Sequence, residues 1–364
     1  MKPQFITGSQ LTALVIATIL STAVLILPTL VVMQAEQSAW LTPWIALPIS
    51  LAVTHMIVKL HARHPGQTLI EYAPKVLGKP LGILVGVLYV WWIFHATATI
   101  VQEHSLFLDS TILIQTPAAI FYGSLVILAV YILWQGMHVL VYLSQLLWPI
   151  ILILVLIVLA LVSPEVEPGN LKPLVSYGGI PTLLVGSLGP ASVLGEVVLL
   201  NLFLPYVKPG VNISREITKG LVITTLTLSL VLAAIVAVFN AEETVRLQFP
   251  FYSLARFVFI GAFLNRLDSL FVTVWVMAVA VQLTVWLLAG VLALSQLTGL
   301  KSSKGLLPPA ALFVAALSTL LYDNVAQMTT FLQEVWSIYA LSIETGLPAL
   351  VFLVAILRKR TVKN

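Results

Sequence analysis

The 364-residue chain is 60% hydrophobic and only 9% charged, with a net charge of +4 and a mean hydropathy of +1.05. A soluble domain carries about 25% charged residues, so this composition excludes an ordinary soluble enzyme and indicates a polytopic membrane protein. The chain has no cysteine, which removes disulfides, thiol chemistry and Cys-based metal sites.

Met1-Lys2-Pro3-Gln4-Phe5 leads into a long first apolar run. That run lacks the short core and small-residue exit of a cleavable signal peptide and is expected as a retained helix. Apolar stretches bounded by charge or by Pro/Gly clusters predict ten spans, at 10–33, 41–60, 81–108, 118–134, 140–162, 183–205, 217–240, 265–294, 306–322 and 333–357. With the N-terminus in the cytoplasm, the inside segments hold Lys2, then Lys59, Arg63, Lys75 and Lys79, then Lys208, Arg215 and Lys219. They also hold Lys301 and Lys304, and the tail residues Arg358, Lys359, Arg360 and Lys363. Only Lys172, Arg246, Arg256 and Arg266 fall outside. This positive-inside bias favours an even number of crossings with both ends cytoplasmic.

Five spans per half force the halves to run in opposite senses. The expected fold is therefore all-α and integral to the membrane: ten transmembrane helices as a 5+5 inverted repeat, with the first and sixth helices interrupted. It forms a single transmembrane domain over 1–364, the first repeat at 10–162 and the second at 183–357. Leu25-Ile26-Leu27-Pro28 in the first span echoes Leu202-Phe203-Leu204-Pro205 in the sixth. Transporters of this architecture hold their ligand at mid-membrane, between the broken leading helices.

The sixth span carries the sharpest local signal. Gly186, Gly189, Pro190 and Gly195 do not suit a plain helix, each Gly weakening it by about 1 kcal/mol relative to Ala. Glu196 follows at mid-depth, where a carboxylate is a functional-site hypothesis by default. It has no basic partner within the spans, which leaves three readings open: a neutral acid, an acceptor for a ligand ammonium, or a bond to unwound backbone. The glycines equally suit close helix packing. In the first span the candidate break is Ser21-Thr22-Ala23, small and polar but without Gly, and Ser and Thr can instead bond their own backbone.

These features select Ser21, Thr22, Gly189, Gly195 and Glu196 as candidate ligand contacts. Trp92 and Ala96 join them from the third span, where 92, 95, 96 and 99 share a helix face; Trp92 as plain core and His95 as a bonded core histidine are the competing readings. Gln282, in the eighth span, has either the ligand or another helix as its partner. Leu341, beside Tyr339, completes the set from the tenth span. Glu196 and Glu344 are candidate proton sites, and Glu103 lies nearer the outer end of its span. Arg266 and Asp268 are expected at the outer mouth of the eighth span. No P-loop, metal-ligand spacing or Ser/His/Asp arrangement is present, so no enzyme activity, cofactor, metal or nucleic-acid partner is expected. The basic segments act as topology signals, with weak attraction to anionic lipid.

Several stretches also resemble a known family. They are Gly195-Glu196 with Leu202-Phe203-Leu204-Pro205-Tyr206-Val207-Lys208, then Leu247-Gln248-Phe249-Pro250-Phe251 with Leu254-Ala255-Arg256. Arg266-Leu267-Asp268-Ser269-Leu270-Phe271 with Trp275, Leu297-Thr298-Gly299-Leu300 and the tail Arg358-Lys359-Arg360 follow, and Ile26-Leu27-Pro28 and Ala73-Pro74 with Leu77-Gly78-Lys79 fit in the first half. Together they resemble the permease-like B subunit of spore nutrient germinant receptors, a branch of the amino acid/polyamine/organocation permease superfamily. The resemblance implies a ten-span protein of the endospore inner membrane. It implies work beside an A-type membrane subunit and a C-type lipoprotein subunit, sensing a small nutrient, commonly an amino acid, to trigger germination. Many relatives carry Gly where this chain has Ser21-Thr22. A proton-coupled amino-acid permease, with Glu196 as its proton site, is the alternative function, and a scaffold with a vestigial site is a third.

Overall fold

The computed structural model describes residues 5–113, 115–175, 178–257, 267–300 and 302–358. Apart from one isolated parallel bridge between Ile6 and Val207, the described residues form helices, turns and loops. Lys2, Arg266, Lys301, Lys359, Arg360 and Lys363 lie outside the described residues, as does the side chain of Asp268.

The first apolar run folds as α1 (Gly8–Ala23) and α2 (Leu27–Ala35), separated at 24–26. A capping box of Thr7 and Gln10 opens α1, which satisfies otherwise orphaned backbone donors. Pro28 sits in the first turn of α2, where its missing N–H removes nothing the helix needs. After α3 (Thr42–Arg63) comes a short helix, α4 (Leu69–Leu77), started by a Thr68–Glu71 capping box. Gly78, at φ 92, then reverses the chain into α5 (Lys79–Thr111), a backbone region that only glycine enters readily. The chain turns again at Gly136, between α6 (Ala118–Gln135) and α7 (Met137–Leu161).

The sixth run comprises α8 (Gly179–Gly186), α9 (Leu188–Gly195) and a 3-10 segment, Glu196–Leu202. Then come α10 (Ile213–Arg246), α11 (Pro250–Phe257), α12 (Leu267–Thr298) and α13 (Leu307–Ser318). The last run winds as α14 (Val325–Phe331), a π turn (Leu332–Trp336), α15 (Ser337–Leu341), a second π turn (Ser342–Gly346) and α16 (Leu347–Leu357).

Among the described residues, seven helical stretches are long and apolar enough to cross a membrane. They are Leu27–Arg63, Lys79–Thr111, Met137–Leu161, Gly179–Leu202, Ile213–Arg246, Phe271–Thr298 and Val325–Leu357. Gly8–Ala23, Ala119–Gln135 and Lys304–Ser318 are shorter apolar helices. The chain is therefore a multi-pass, all-helical membrane protein.

At the centre, α1 packs on α10, α7 and α12, while α5 packs on α12 and α4. Leu11, Leu14, Ile16 and Ile19 of α1 are fully buried. By contrast α6, α7 and α13 turn Ile127, Leu146 and Leu312 outward. In hydrocarbon such a face carries no penalty, because lipid tails are as apolar as leucine. At one end of the bundle Ile6 N–H donates to the Tyr206 carbonyl (2.8 Å) and Lys208 N–H to the Ile6 carbonyl (2.9 Å). That bridge ties the entry of the first run to the exit of the sixth.

Candidate functional site

Just before the first break, α12 supplies side-chain partners to the last turns of α1. Gln282 Nε2 donates to the Thr18 carbonyl (2.8 Å) and to Thr22 Oγ1 (3.0 Å), while its Oε1 accepts from Thr22 N–H (3.2 Å). Trp275 Nε1 donates to the Ser21 carbonyl (2.8 Å). The interruption lies at 24–26, just past the Ser21-Thr22-Ala23 position read from the sequence, and it forms without glycine.

The sixth run is built differently. A Cβ on Gly186 would sit 2.8 Å from the Ala35 Cβ, and one on Gly189 3.2 Å from Leu27 Cδ1. These two glycines therefore let α8 and α9 lie close against α2. From Glu196 the winding tightens to 3-10, and its carbonyls find other partners: Tyr89 Oη donates to the Val198 carbonyl at 2.9 Å. Asn201 accepts from Leu69 N–H and donates to Tyr72 Oη (2.9 Å), which anchors α4 below the segment.

Between the two runs lies a cavity of about 60 Å³. Thr22, Ala23 and Ile26 line it from the first break, and Ala96, Thr99 and Glu103 from α5. Gly189, Ser192 and Glu196 line it from the sixth run, and Leu332, Trp336 and Ser337 from the tenth. Two carboxyl groups and four hydroxyls thus face one small space, and no Lys, Arg or His is on the wall. Glu196 is 5% exposed and its Oε2 has no hydrogen-bond partner; Glu344 is 0% exposed and neither of its oxygens has one. Among the described residues, neither these two nor Glu103 forms an ion pair. Charge buried without a partner is strongly unfavourable, so in the ionised form these carboxyls would need a partner from outside the chain. A larger groove of about 460 Å³ runs along α5, α12 and α13, but only apolar side chains such as Trp91, Leu297 and Phe313 line it. Ligand sites combine apolar walls with a few placed polar groups, which favours the smaller cavity.

Of the residues selected from sequence, Thr22, Ala96, Gly189 and Glu196 stand on the cavity wall. The others lie behind it. Ser21 contributes its carbonyl to Trp275, and its own hydroxyl is buried without a partner. Trp92 is fully buried against Trp286 (ring centroids 5.1 Å) and Tyr89 (5.6 Å), one turn from the cavity. Gly195 faces Glu344, whose Oε2 a Cβ at that position would strike. Gln282 bonds the first break, and Leu341 is half-buried away from the wall. His95 sits among Trp91, Phe331, Trp336 and Tyr339, at 5.5–6.1 Å between ring centroids. Glu103 was legible in principle, because 96, 99 and 103 follow one another along the Ala96 face of α5. Leu332, Trp336 and Ser337 were not, since the π turns shift the register of the tenth run. Among the described residues no three His, Asp or Glu side chains gather in a metal-binding group.

The family model described as "Spore germination protein" matches residues 5–328. The chain is similar to Spore germination protein KB of Bacillus subtilis (strain 168), 25% identical over 364 residues, covering 99% of this chain and 97% of that one. It is also similar to Spore germination protein YndE of the same strain, 24% identical over 294 residues and 80% of each chain. Among solved structures it shares its fold with Mhp1, a nucleobase-cation-symport-1 family transporter in a closed conformation with bromovinylhydantoin bound. That match has a TM-score of 0.69 at 13% identity, over 98% of this chain and 80% of that one. MhsT in complex with L-phenylalanine gives a TM-score of 0.63 at 14% identity, over 96% and 88%.

Proposed function

The chain belongs to the spore germination protein family, and from that premise we propose that it is a germinant-receptor membrane subunit that binds a small nutrient at mid-membrane. The observation that carries this reading is the cavity between the two interrupted runs, with Glu103 and Glu196 on its wall and no basic side chain. Those carboxyls suit the ammonium of an amino acid. The start of α2 borders the same cavity through Ile26 and Leu27, and the positive end of a helix suits the ligand's carboxylate. About 60 Å³ corresponds to roughly four to six waters, a space for a small amino acid rather than a large one. Thr22, Ala96, Gly189 and Glu196 are the contacts. Ser21, Trp92, Gly195, Gln282 and Leu341 shape the pocket from behind, with Glu344 as a second candidate proton site.

The proposed frame is ten crossings in a single transmembrane domain, α1–α2 leading the first repeat (10–162) and α8–α9 the second, inverted one (183–357). Both ends lie in the cytoplasm of the spore's inner membrane. The orientation is supported by the Ile6 bridge to 206–208 and by the Arg358 guanidinium donating to the Val76 carbonyl (2.8 Å), since those segments carry the concentrated Lys and Arg. Nutrient binding shifts the balance of two helix arrangements, which requires unequal affinity for them. The shift passes to an A-type membrane subunit and a C-type lipoprotein subunit.

One observation favours a second reading. Three buried carboxyls without cations also suit a proton-coupled amino-acid permease. Full-length protein reconstituted into liposomes separates the two, with a panel of radiolabelled amino acids and an internal pH dye. Saturable binding without flux is expected of the receptor. Amino-acid uptake coupled to proton entry overturns the receptor in favour of the permease.

A further inference from the structure

Trp275, Gln282 and Trp286 are spaced by seven and four residues, so α12 presents all three on one face. Every one of them donates to the last turn and a half of α1. The orientation of the Gln282 amide follows from its partners: reversed, its NH2 would oppose Thr22 N–H and its oxygen the Thr18 carbonyl. Thr22 N–H and the Thr18 carbonyl are also the pair that a regular helical ladder joins. The side-chain amide therefore bridges one rung of the ladder in the last turns of α1, just before the winding stops at 24–26. Trp286 Nε1 gives the Thr18 carbonyl a second donor at 3.3 Å, which occupies both lone pairs of that oxygen. Gln282 and Thr18 are both fully buried, so water does not compete for these bonds.

In transporters built on broken helices, the carbonyls released by the break are where a coupling sodium ion binds. Here the Ser21 carbonyl in the last turn of α1 and the Thr18 carbonyl just before it already hold indole and amide N–H groups. We propose that Gln282 is a positioning residue that closes the first break from within. It keeps Thr22 on the cavity wall and fills the acceptor shell that a sodium or potassium ion would need, so that occupancy of the cavity is not linked to either ion. This extends the reading of the cavity as a ligand site, yet its test contains no nutrient, so the two ideas fail separately.

The test is the thermal unfolding midpoint of the full-length protein in nanodiscs, in sodium, potassium or choline chloride at matched ionic strength. An ion that binds only the folded protein raises the midpoint. The wild type is expected to unfold at the same temperature in all three salts. Gln282→Glu removes the donors and adds a carboxylate beside the Thr18 carbonyl; it is expected to gain a saturable upward shift in sodium that choline does not reproduce. Gln282→Leu is expected to lose stability equally in every salt. A sodium- or potassium-specific shift in the wild type overturns the proposal, and that arm needs no variant to fold. A Gln282→Glu protein that responds to sodium no more than Gln282→Leu also overturns it.

Discussion

The first apolar run stops helical winding over three residues, 24–26, with no glycine nearby, whereas the sixth keeps winding through Ser187 and tightens to 3-10 only at Glu196. Both border the same cavity. Just before it, the first receives side-chain donors from α12, more than 250 residues away in sequence. The sixth owes its shape to its own small residues, which let Ala35, Leu27 and Glu344 come close. An interruption can thus be marked locally, in residues that fail to support a helix, or remotely, in a partner that bonds the last turns before it.

The comparison breaks most visibly at Gly195. A leucine there drives a side chain into Glu344, and overpacking a full core costs typically about 1–3 kcal/mol, occasionally more. Gly195→Leu is expected to lower the thermal midpoint more than any other change considered, with Gly195→Ala milder. Combining Gly195→Ala with Glu344→Ala should recover part of that loss, and strict additivity in the double variant would show that the two residues do not touch. Next is Gln282→Leu, which strips Thr22 N–H and Thr22 Oγ1 of a partner. Buried unsatisfied groups cost about 1–3 kcal/mol, so a loss of about 2 kcal/mol is expected by denaturant or thermal titration. Glu196→Gln keeps the shape of the sixth run and removes its charge. Its effect should fall on ligand response, moving the germination midpoint about tenfold in nutrient concentration, equivalent to about 1.4 kcal/mol, while thermal stability stays near wild type. An unmoved midpoint means that the charge plays no part in sensing. The smallest effect is expected at Ser21→Ala. Its hydroxyl has no partner, so stability should stay within about 0.5 kcal/mol; a larger loss would mean that the hydroxyl, and not only the backbone, supports the first break.

The same contrast explains what could be read from sequence. The described helical runs overlap the predicted spans, because hydropathy reports directly on a chain that must satisfy its backbone in lipid, although seven rather than ten are long and apolar enough to cross a membrane and the last begins at Val325 rather than at 333. The sixth run was conspicuous for the same reason: glycine, proline and a carboxylate are anomalies in an apolar stretch. The first break, expected at Ser21-Thr22-Ala23, lies just beyond at 24–26, beside Gln282, which no local pattern connects to Thr22. Trp92, expected as a ligand contact or as plain core, packs on Trp286, one turn short of the cavity. Glu103, expected nearer the outer end of its span, lies two turns beyond Ala96 on the same face and lines the cavity wall. In the tenth run Leu341 was the expected contact, while the cavity meets Leu332, Trp336 and Ser337. Periodicity assumes 3.6 residues per turn, and two π turns break that assumption.

Those π turns, Leu332–Trp336 and Ser342–Gly346, have a mechanical meaning as well. Each stores one residue beyond what an α turn holds, so the tenth run carries two residues of slack. Releasing one into ordinary α winding lengthens the run by about 1.5 Å and rotates everything beyond it by about a quarter of a turn. The first π turn contains Trp336, which faces the cavity and also leans on His95. Any change of winding within that turn would carry the Trp336 indole, on the cavity wall, with it.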